Sequence, residues 1–146
     1  VIEVVSKENL HEVLPLIRQY QEFYRVAEIS DSRNKEFFSQ FGENNPSGCQ
    51  FLYRQGGSVV GFATVYFNYS STLTAKVAVL NDLFTIPEMR SNGVGRKLIE
   101  HSRNFATEKG ATRLQWLTAP DNKQAQSLYE SMETGKSQWL LYTYKT

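Results

Sequence analysis

A single cysteine, four prolines and an almost even charge balance narrow what this 146-residue chain can be before any motif is considered. One thiol, Cys49, excludes an intrachain disulfide and any multi-cysteine metal cluster. At the head of an apolar run, with no histidine near it in sequence, it reads as a small buried hydrophobe. Lysine plus arginine number 16 and aspartate plus glutamate 15, a formal charge of +1, which is too little asymmetry for a nucleic-acid or anionic-membrane footprint. No apolar run approaches the roughly 20 residues that span a bilayer, and no charged-then-apolar leader pattern is present. The expectation is a cytoplasmic protein without a nucleic-acid or membrane partner. The two histidines, His11 and His101, fall on the polar sides of predicted helices without ligand companions at suitable spacing, so both are expected at the surface and no metal is expected.

What the chain does have is aromatic and β-branched residues in strand-like runs. Residues 1–5 form a short β-branched run. Ser6 and Asn9 offer capping groups before Leu10, Val13, Leu14, Ile17, Tyr20 and Tyr24, whose spacing predicts an amphipathic helix. Pro15 inside it predicts a kink or a later start. Asp31 is placed to cap a shorter helix with Phe37, Phe38 and Phe41 inward, ending near Gly42. Residues 49–55 and 58–69 read as strands joined at Gly56-Gly57, and 76–86 as a third. Pro87 stops that ladder. A helix over 94–109 presents Val94, Leu98, Ser102, Phe105 and Ala106 on one face, followed by a strand at 113–118, a helix at 122–132 and a closing strand at 138–145. This order predicts one α/β (α+β) domain over 1–146: a mixed sheet, antiparallel early, flanked by helices, with at least one right-handed crossover late.

The stretch Leu83-Phe84-Thr85-Ile86-Pro87-Glu88-Met89-Arg90-Ser91-Asn92-Gly93-Val94-Gly95-Arg96 runs from a strand through a glycine-bearing loop into a helix. Gly93 and Gly95 lack Cβ atoms, so an anion can approach the backbone where the first helical N–H groups and the positive dipole end lie. Arg90 and Arg96 add charged donors. No Gly-Lys-Ser/Thr follows, and Leu98 stands where a dinucleotide fingerprint needs its third glycine, so those two phosphate motifs are excluded. Two glycines at such a junction also suit a plain tight turn, and from these residues alone both readings stand.

Arg90-Ser91-Asn92-Gly93-Val94-Gly95 matches the pattern Arg/Gln-x-x-Gly-x-Gly/Ala. With Gln21-Glu22-Phe23-Tyr24, Leu80-Asn81-Asp82-Leu83-Phe84, Asp121-Asn122 and Leu128-Tyr129-Glu130 in order, the sequence resembles the GCN5-related N-acetyltransferase (GNAT) superfamily. Within it the chain looks most like the branch of HPA-type and diamine acetyltransferases. The resemblance implies a twisted, mostly antiparallel sheet of six to seven strands with about four helices. It implies acetyl-coenzyme A as donor and a primary amine (a small amine, polyamine or amino acid) as acceptor, in direct attack through a ternary complex. By position, the backbone of Phe84 and Thr85 would pair with the pantetheine arm and the acetyl carbonyl. Arg90, Ser91, Asn92, Gly93, Val94, Gly95 and Arg96 would hold the pyrophosphate, Asn122 would contact the cofactor arm, and Tyr129 would lie beside the thioester sulfur. Asn122 equally suits a helix cap, and Tyr129 a core aromatic.

An alkylamine with a pKa near 10.4 is neutral in only roughly one molecule in a few thousand at pH 7, so a proton must be removed; the departing thiolate benefits from an acid such as tyrosine. Tyr129 is the candidate acid, and the strand backbone at Leu83, Phe84 and Thr85 can supply an N–H donor to the oxyanion. In the diamine branch a glutamate often occupies the position of Asn81, which takes no proton. Asp82 is the nearest carboxylate; strand alternation turns it to the opposite face, which suits a structural acceptor as well as a base, with ordered water as a third route. The acceptor side in the family points to Tyr20, Tyr24, Glu28, Asp31 and Tyr66, rings and carboxylates that suit a cationic amine. For Tyr20 and Tyr24 simple packing serves equally. Trp139, Leu140, Leu141, Tyr142 and Tyr144 predict a terminal strand buried on both faces and a homodimer through it. Two rivals remain open: a peptide or protein lysine acetyltransferase, and a module that binds acetyl-coenzyme A without turnover, which Asn81 keeps in play.

Overall fold

The computed structural model describes residues 1–146 in two compact units, Val1–Trp116 and Leu117–Thr146. The first unit is built on a five-stranded sheet in the order β1 (Ile2–Val4), β2 (Gly48–Gln55), β3 (Ser58–Ser70), β4 (Ala75–Thr85) and β5 (Leu114–Gln115). All neighbours are antiparallel except β4 and β5, which run parallel, so the expected late crossover is present. The α/β class and the mixed, mostly antiparallel sheet are as read from the sequence. The strand count is five, below the six to seven that the resemblance implied.

Four helices accompany the strands: α1 (Leu10–Phe23), α2 (Asp31–Phe38), α3 (Val94–Glu108) and α4 (Lys123–Glu130). Helix α1 buries Leu10, Val13, Leu16 and Ile17, each worth roughly 1.5–3 kcal/mol of transfer free energy before entropy is counted. Pro15 does not delay its start. The residue sits on the exposed face above exposed His11, whose carbonyl loses its helical partner where water can replace it. The cap of α2 is Ser30, whose hydroxyl accepts from the Arg33 N–H at 3.3 Å, so Asp31 is the first helical residue and not the cap. Phe38 and Phe41 are buried as expected, whereas Phe37 is 48% exposed. Reciprocal amide bonds of 2.9 and 2.8 Å between Gln21 and Asn34 tie α1 to α2.

Two apolar layers cover the sheet. On one face α1 and α2 lie against Leu52, Phe62 and Phe84, with Tyr20 and Tyr66 packed at the margin. On the other, α3 brings Phe105 to within 5.1 Å of Phe51 and 5.8 Å of Phe67, ring centre to ring centre. His101 also belongs to this layer. Its ring meets Phe51 edge-on at 4.6 Å and burial lowers its pKa, so the surface position expected for it is corrected: the neighbouring strand supplies an aromatic face that a helical wheel does not show. Cys49 is fully buried, which pushes its thiol up to about 11.

In the second unit Asn122 caps α4, its side-chain oxygen accepting from the Ala125 N–H at 3.2 Å. The expected closing strand over 138–145 is not formed. Residues 131–146 carry neither helix nor strand, and Trp139, Leu140, Leu141, Tyr142 and Tyr144 are each 80% or more exposed. Composition gives that segment strand propensity, yet a strand also needs a paired edge for its N–H and C=O groups and an apolar layer to cover it. The strand expected at 113–118 is likewise cut to Leu114–Gln115, and Leu117 beyond it is 81% exposed. No helix is long and apolar enough to cross a membrane.

Candidate active site

The loop between β4 and α3 is shaped by two left-handed residues, Ser91 at φ +65° and Gly93 at φ +84°, on either side of Asn92. Gly93 is the N-cap of α3, supplies no side-chain cap, and is followed by a first turn without an acid. The first bond of the helix runs from the Lys97 N–H to the Gly93 carbonyl at 3.1 Å, so the amides of Val94 and Gly95 precede the ladder. A helix end with forward amides, no built-in negative charge and a positive dipole suits an anion. Arg90 does something more local than the sequence suggested. Its Nε donates to the Thr85 carbonyl at 3.0 Å, and its guanidinium lies 5.6 Å from the Phe84 ring and 5.9 Å from the Phe23 ring, tying the loop to β4 and α1.

Gly61 lets the loop sit this low. A Cβ there would stand 2.9 Å from the Phe84 carbonyl oxygen and 3.0 Å from Val94 Cγ1, so only glycine permits α3 to begin against β3 and β4. The lower half of β4 is paired on one side only. Leu83, Phe84 and Thr85 face Ala63, Phe62 and Gly61 of β3, whereas β5 reaches β4 only at Ala78 and Val79. No strand pairs with the other edge at Leu83, Phe84 and Thr85, and that edge leads directly into the loop.

On the α1 side, side chains at matching register form rungs across the sheet. Leu52, Phe62 and Phe84 make an apolar rung, and two residues along the strands Gln50, Thr64 and Asp82 make a polar one. All three polar residues are buried, Gln50 and Thr64 completely and Asp82 at 7% exposure. The register skips a residue here: Thr64 pairs with Asp82 and Val65 with Leu80, so Asn81 is the extra residue of a β-bulge. Asn81 therefore points outward, exposed, while its Nδ2 donates to Asp82 Oδ1 at 3.0 Å. Burial raises the Asp82 pKa, and Thr64, Tyr20 and the Asn81 amide oppose the rise by favouring the charged form, the Tyr20 hydroxyl itself donating to the Asn81 carbonyl at 3.4 Å. Burial and then the neighbouring Asp82 charge push the phenols of Tyr20 and Tyr66 well above the ordinary tyrosine range.

Of the acceptor-side residues, Tyr20 and Tyr66 thus gather around Asp82. Tyr24 stacks edge-on against Tyr20 at 4.9 Å and is 55% exposed. Glu28 and Asp31 are exposed and outside this group; Asp31 is held by Arg18 at 2.9 Å. Asn122 and Tyr129 belong to the second unit, where Tyr129 lies partly buried on α4.

An unpaired strand edge opening into an acid-free helix start is one half of the decision; comparison with known sequences supplies the other. The Acetyltransferase (GNAT) family profile matches residues 13–133. The chain belongs to the GNAT family. This GNAT chain shares 35% identity over 118 residues with the uncharacterized N-acetyltransferase YhfO of Bacillus subtilis (strain 168), covering 81% of this chain and 78% of that protein. It is 27% identical to the thialysine N-epsilon-acetyltransferase of Mus musculus over an alignment of 156 positions, covering 99% and 91% of the two. Among solved structures, AAC(6')-Iy in complex with a bisubstrate analogue, CoA-S-monomethyl-acetylneamine, superposes with a TM-score of 0.83 over 100% of this chain and 97% of that one; at 20% identity the likeness shows a shared fold. The chain is an acetyltransferase of this family.

Sequence reasoning missed Gln50, Thr64 and Gly61. The available signal was a polar residue inside an apolar run, Gln50 in Cys49-Gln50-Phe51-Leu52 and Thr64 in Phe62-Ala63-Thr64-Val65, both against the expectation that buried strands read as continuous hydrophobes.

Proposed function

We propose that this chain transfers the acetyl group of acetyl-coenzyme A to the primary amine of a small, lysine-like cationic compound within a ternary complex. The observation that carries the proposal is the unpaired edge of β4 running into the Gly93 helix start: one side of the substrate can complete a ladder while its diphosphate meets forward amides. In this reading Leu83, Phe84 and Thr85 offer backbone groups to the pantetheine arm and the acetyl carbonyl. Residues 90–96 receive the diphosphate, with Arg90 fixing the loop and Arg96 adding charge. Asn122 is assigned to the cofactor arm through the amide hydrogens its capping oxygen leaves over.

The acceptor arrives as an ammonium ion. The rings of Tyr20, Tyr24 and Tyr66 and the Asp82 carboxylate suit that charge, with Glu28 and Asp31 as outer attractors. Asp82 accepts the proton, directly or through water; its raised pKa brings it nearer to neutrality than an ordinary aspartate, which improves a general base. The freed nitrogen attacks the thioester carbonyl carbon, a C–N bond forms, and the C–S bond breaks as the tetrahedral intermediate collapses. Tyr129 is assigned to donate a proton to the departing coenzyme A thiolate, and the proton still surplus on the acylated nitrogen returns to the tyrosinate through water. A lysine-like acceptor is supported by the activity named for the mouse relative, thialysine N-epsilon-acetylation.

A thiol-release assay with acetyl-coenzyme A against thialysine, polyamines, aminoglycosides, free amino acids and lysine peptides tests this. Turnover with a small cationic amine is expected. Binding of acetyl-coenzyme A with no thiol release from any of them would instead establish a module that holds the ligand without turnover, and turnover with peptides alone would shift the acceptor class.

A further inference from the structure

The Gln50, Thr64 and Asp82 rung has no evident structural purpose. Its three residues occupy one register position on consecutive strands, between the apolar rung Leu52, Phe62, Phe84 and the ring of Tyr66. Gln50 is fully buried, and its Oε1 has no hydrogen-bond partner, a poor choice for stability where leucine or methionine would fill the same space. The amide has a definite orientation, however: its Nε2 donates to Thr64 Oγ1 at 3.1 Å. A hydroxyl carries one proton and two acceptor sites. Were the amide turned the other way, Oε1 would claim the Thr64 proton. As it stands, Thr64 accepts from Gln50, which leaves its own proton available to Asp82, its register partner on β4, whose charged form it favours.

We infer that Gln50 and Thr64 are positioning residues for Asp82, a relay across β2, β3 and β4 that directs a hydroxyl proton onto its carboxylate from inside the sheet. The inference rests on the reading of Asp82 as the proton acceptor and adds how that acceptor is tuned. The other groups facing Asp82 are Tyr20 from α1, with Tyr24 beyond it, Tyr66 from β3 and Asn81 from β4. None is a cation, so hydrogen-bond donors alone hold the buried charge. Removing the Thr64 donor should raise the proton affinity of Asp82; removing Gln50, which fixes the Thr64 hydroxyl, should do the same more weakly.

The test is a carbon-detected NMR titration of the Asp82 carboxyl in the full chain, which needs no substrate, paired with kcat/KM against pH using acetyl-coenzyme A and thialysine. Thr64→Val is expected to raise the Asp82 proton affinity about tenfold, Gln50→Leu by less, and Thr64→Ser to restore it. Gln50→Leu keeps the core filled and tests the relay from its far end if Thr64→Val folds poorly. An Asp82 midpoint unmoved in both variants would overturn the inference, whatever the rates do. A midpoint that moves while the acid limb of kcat/KM stays in place would uphold the relay and remove Asp82 from the role of proton acceptor.

Discussion

Replacing Gly93 by alanine separates a backbone cost from a ligand cost, because Gly110 provides a matched control. The two glycines adopt φ +84° and +86°, and a Cβ built at either meets nothing within 4 Å. Alanine therefore brings no clash with the protein at either position, only the left-handed penalty of roughly 1–2 kcal/mol. For a chain near 150 residues this lowers Tm by about 2–4 °C per kcal/mol. Both variants should show that loss. They should part company in binding: the new methyl at Gly93 stands where the proposed diphosphate would approach, and losing one charge-assisted hydrogen bond, worth about 1.5–3 kcal/mol, weakens binding tenfold or more. The assay is KM for acetyl-coenzyme A alongside thermal melting. Equal KM values for Gly93→Ala and Gly110→Ala, at equal loss of Tm, would refute the placement of the anion at this helix start.

Other expectations follow from the same geometry. Asp82 has a raised pKa in the folded state, so its contribution is most favourable at low pH and is lost as pH rises through that value; the stability of the wild type relative to Asp82→Asn should improve on going from pH 7 to pH 4, and a difference independent of pH would contradict the buried carboxyl. The base proposed here works only when ionised, so kcat/KM should fall on the acid side at a pH above the ordinary aspartate value, and Asp82→Asn should abolish that limb. Gly61→Ala should cost about 1–3 kcal/mol by overpacking against the Phe84 carbonyl and Val94, and should raise KM for acetyl-coenzyme A by displacing α3; a stability loss with unchanged KM would show that the loop does not depend on this contact.

Much of this architecture was legible because the signals were local. Gly56-Gly57 between two β-branched runs gave the hairpin, and the apolar spacing of Leu10, Val13 and Ile17 gave the first helix. The Arg90 to Gly95 motif pointed to the loop that the structure places at the foot of β4. What escaped depended on partners distant in sequence. That Asn81 is the extra residue of a bulge is decided by β3, not by β4: alternation alone puts Leu80 and Asp82 on one face, whereas the register pairs them with Val65 and Thr64, which point to opposite faces. Gln50 and Thr64 are 14 residues apart and meet Asp82 only through register. Ser30 and Asp31 are both good caps, and only the geometry of the preceding loop selects Ser30. The terminal segment misled in the opposite way: its propensity is high, but propensity does not supply a neighbouring edge.

In the proposed reading, main-chain amides at the start of α3 receive the diphosphate of a coenzyme A ester. Titrating acetyl-coenzyme A into isotopically labelled protein while following backbone amide resonances tests this residue by residue. Saturable shifts concentrated at Gly93, Val94 and Gly95 are expected. Saturable binding that leaves those three amides unmoved, or no binding at all, would contradict it.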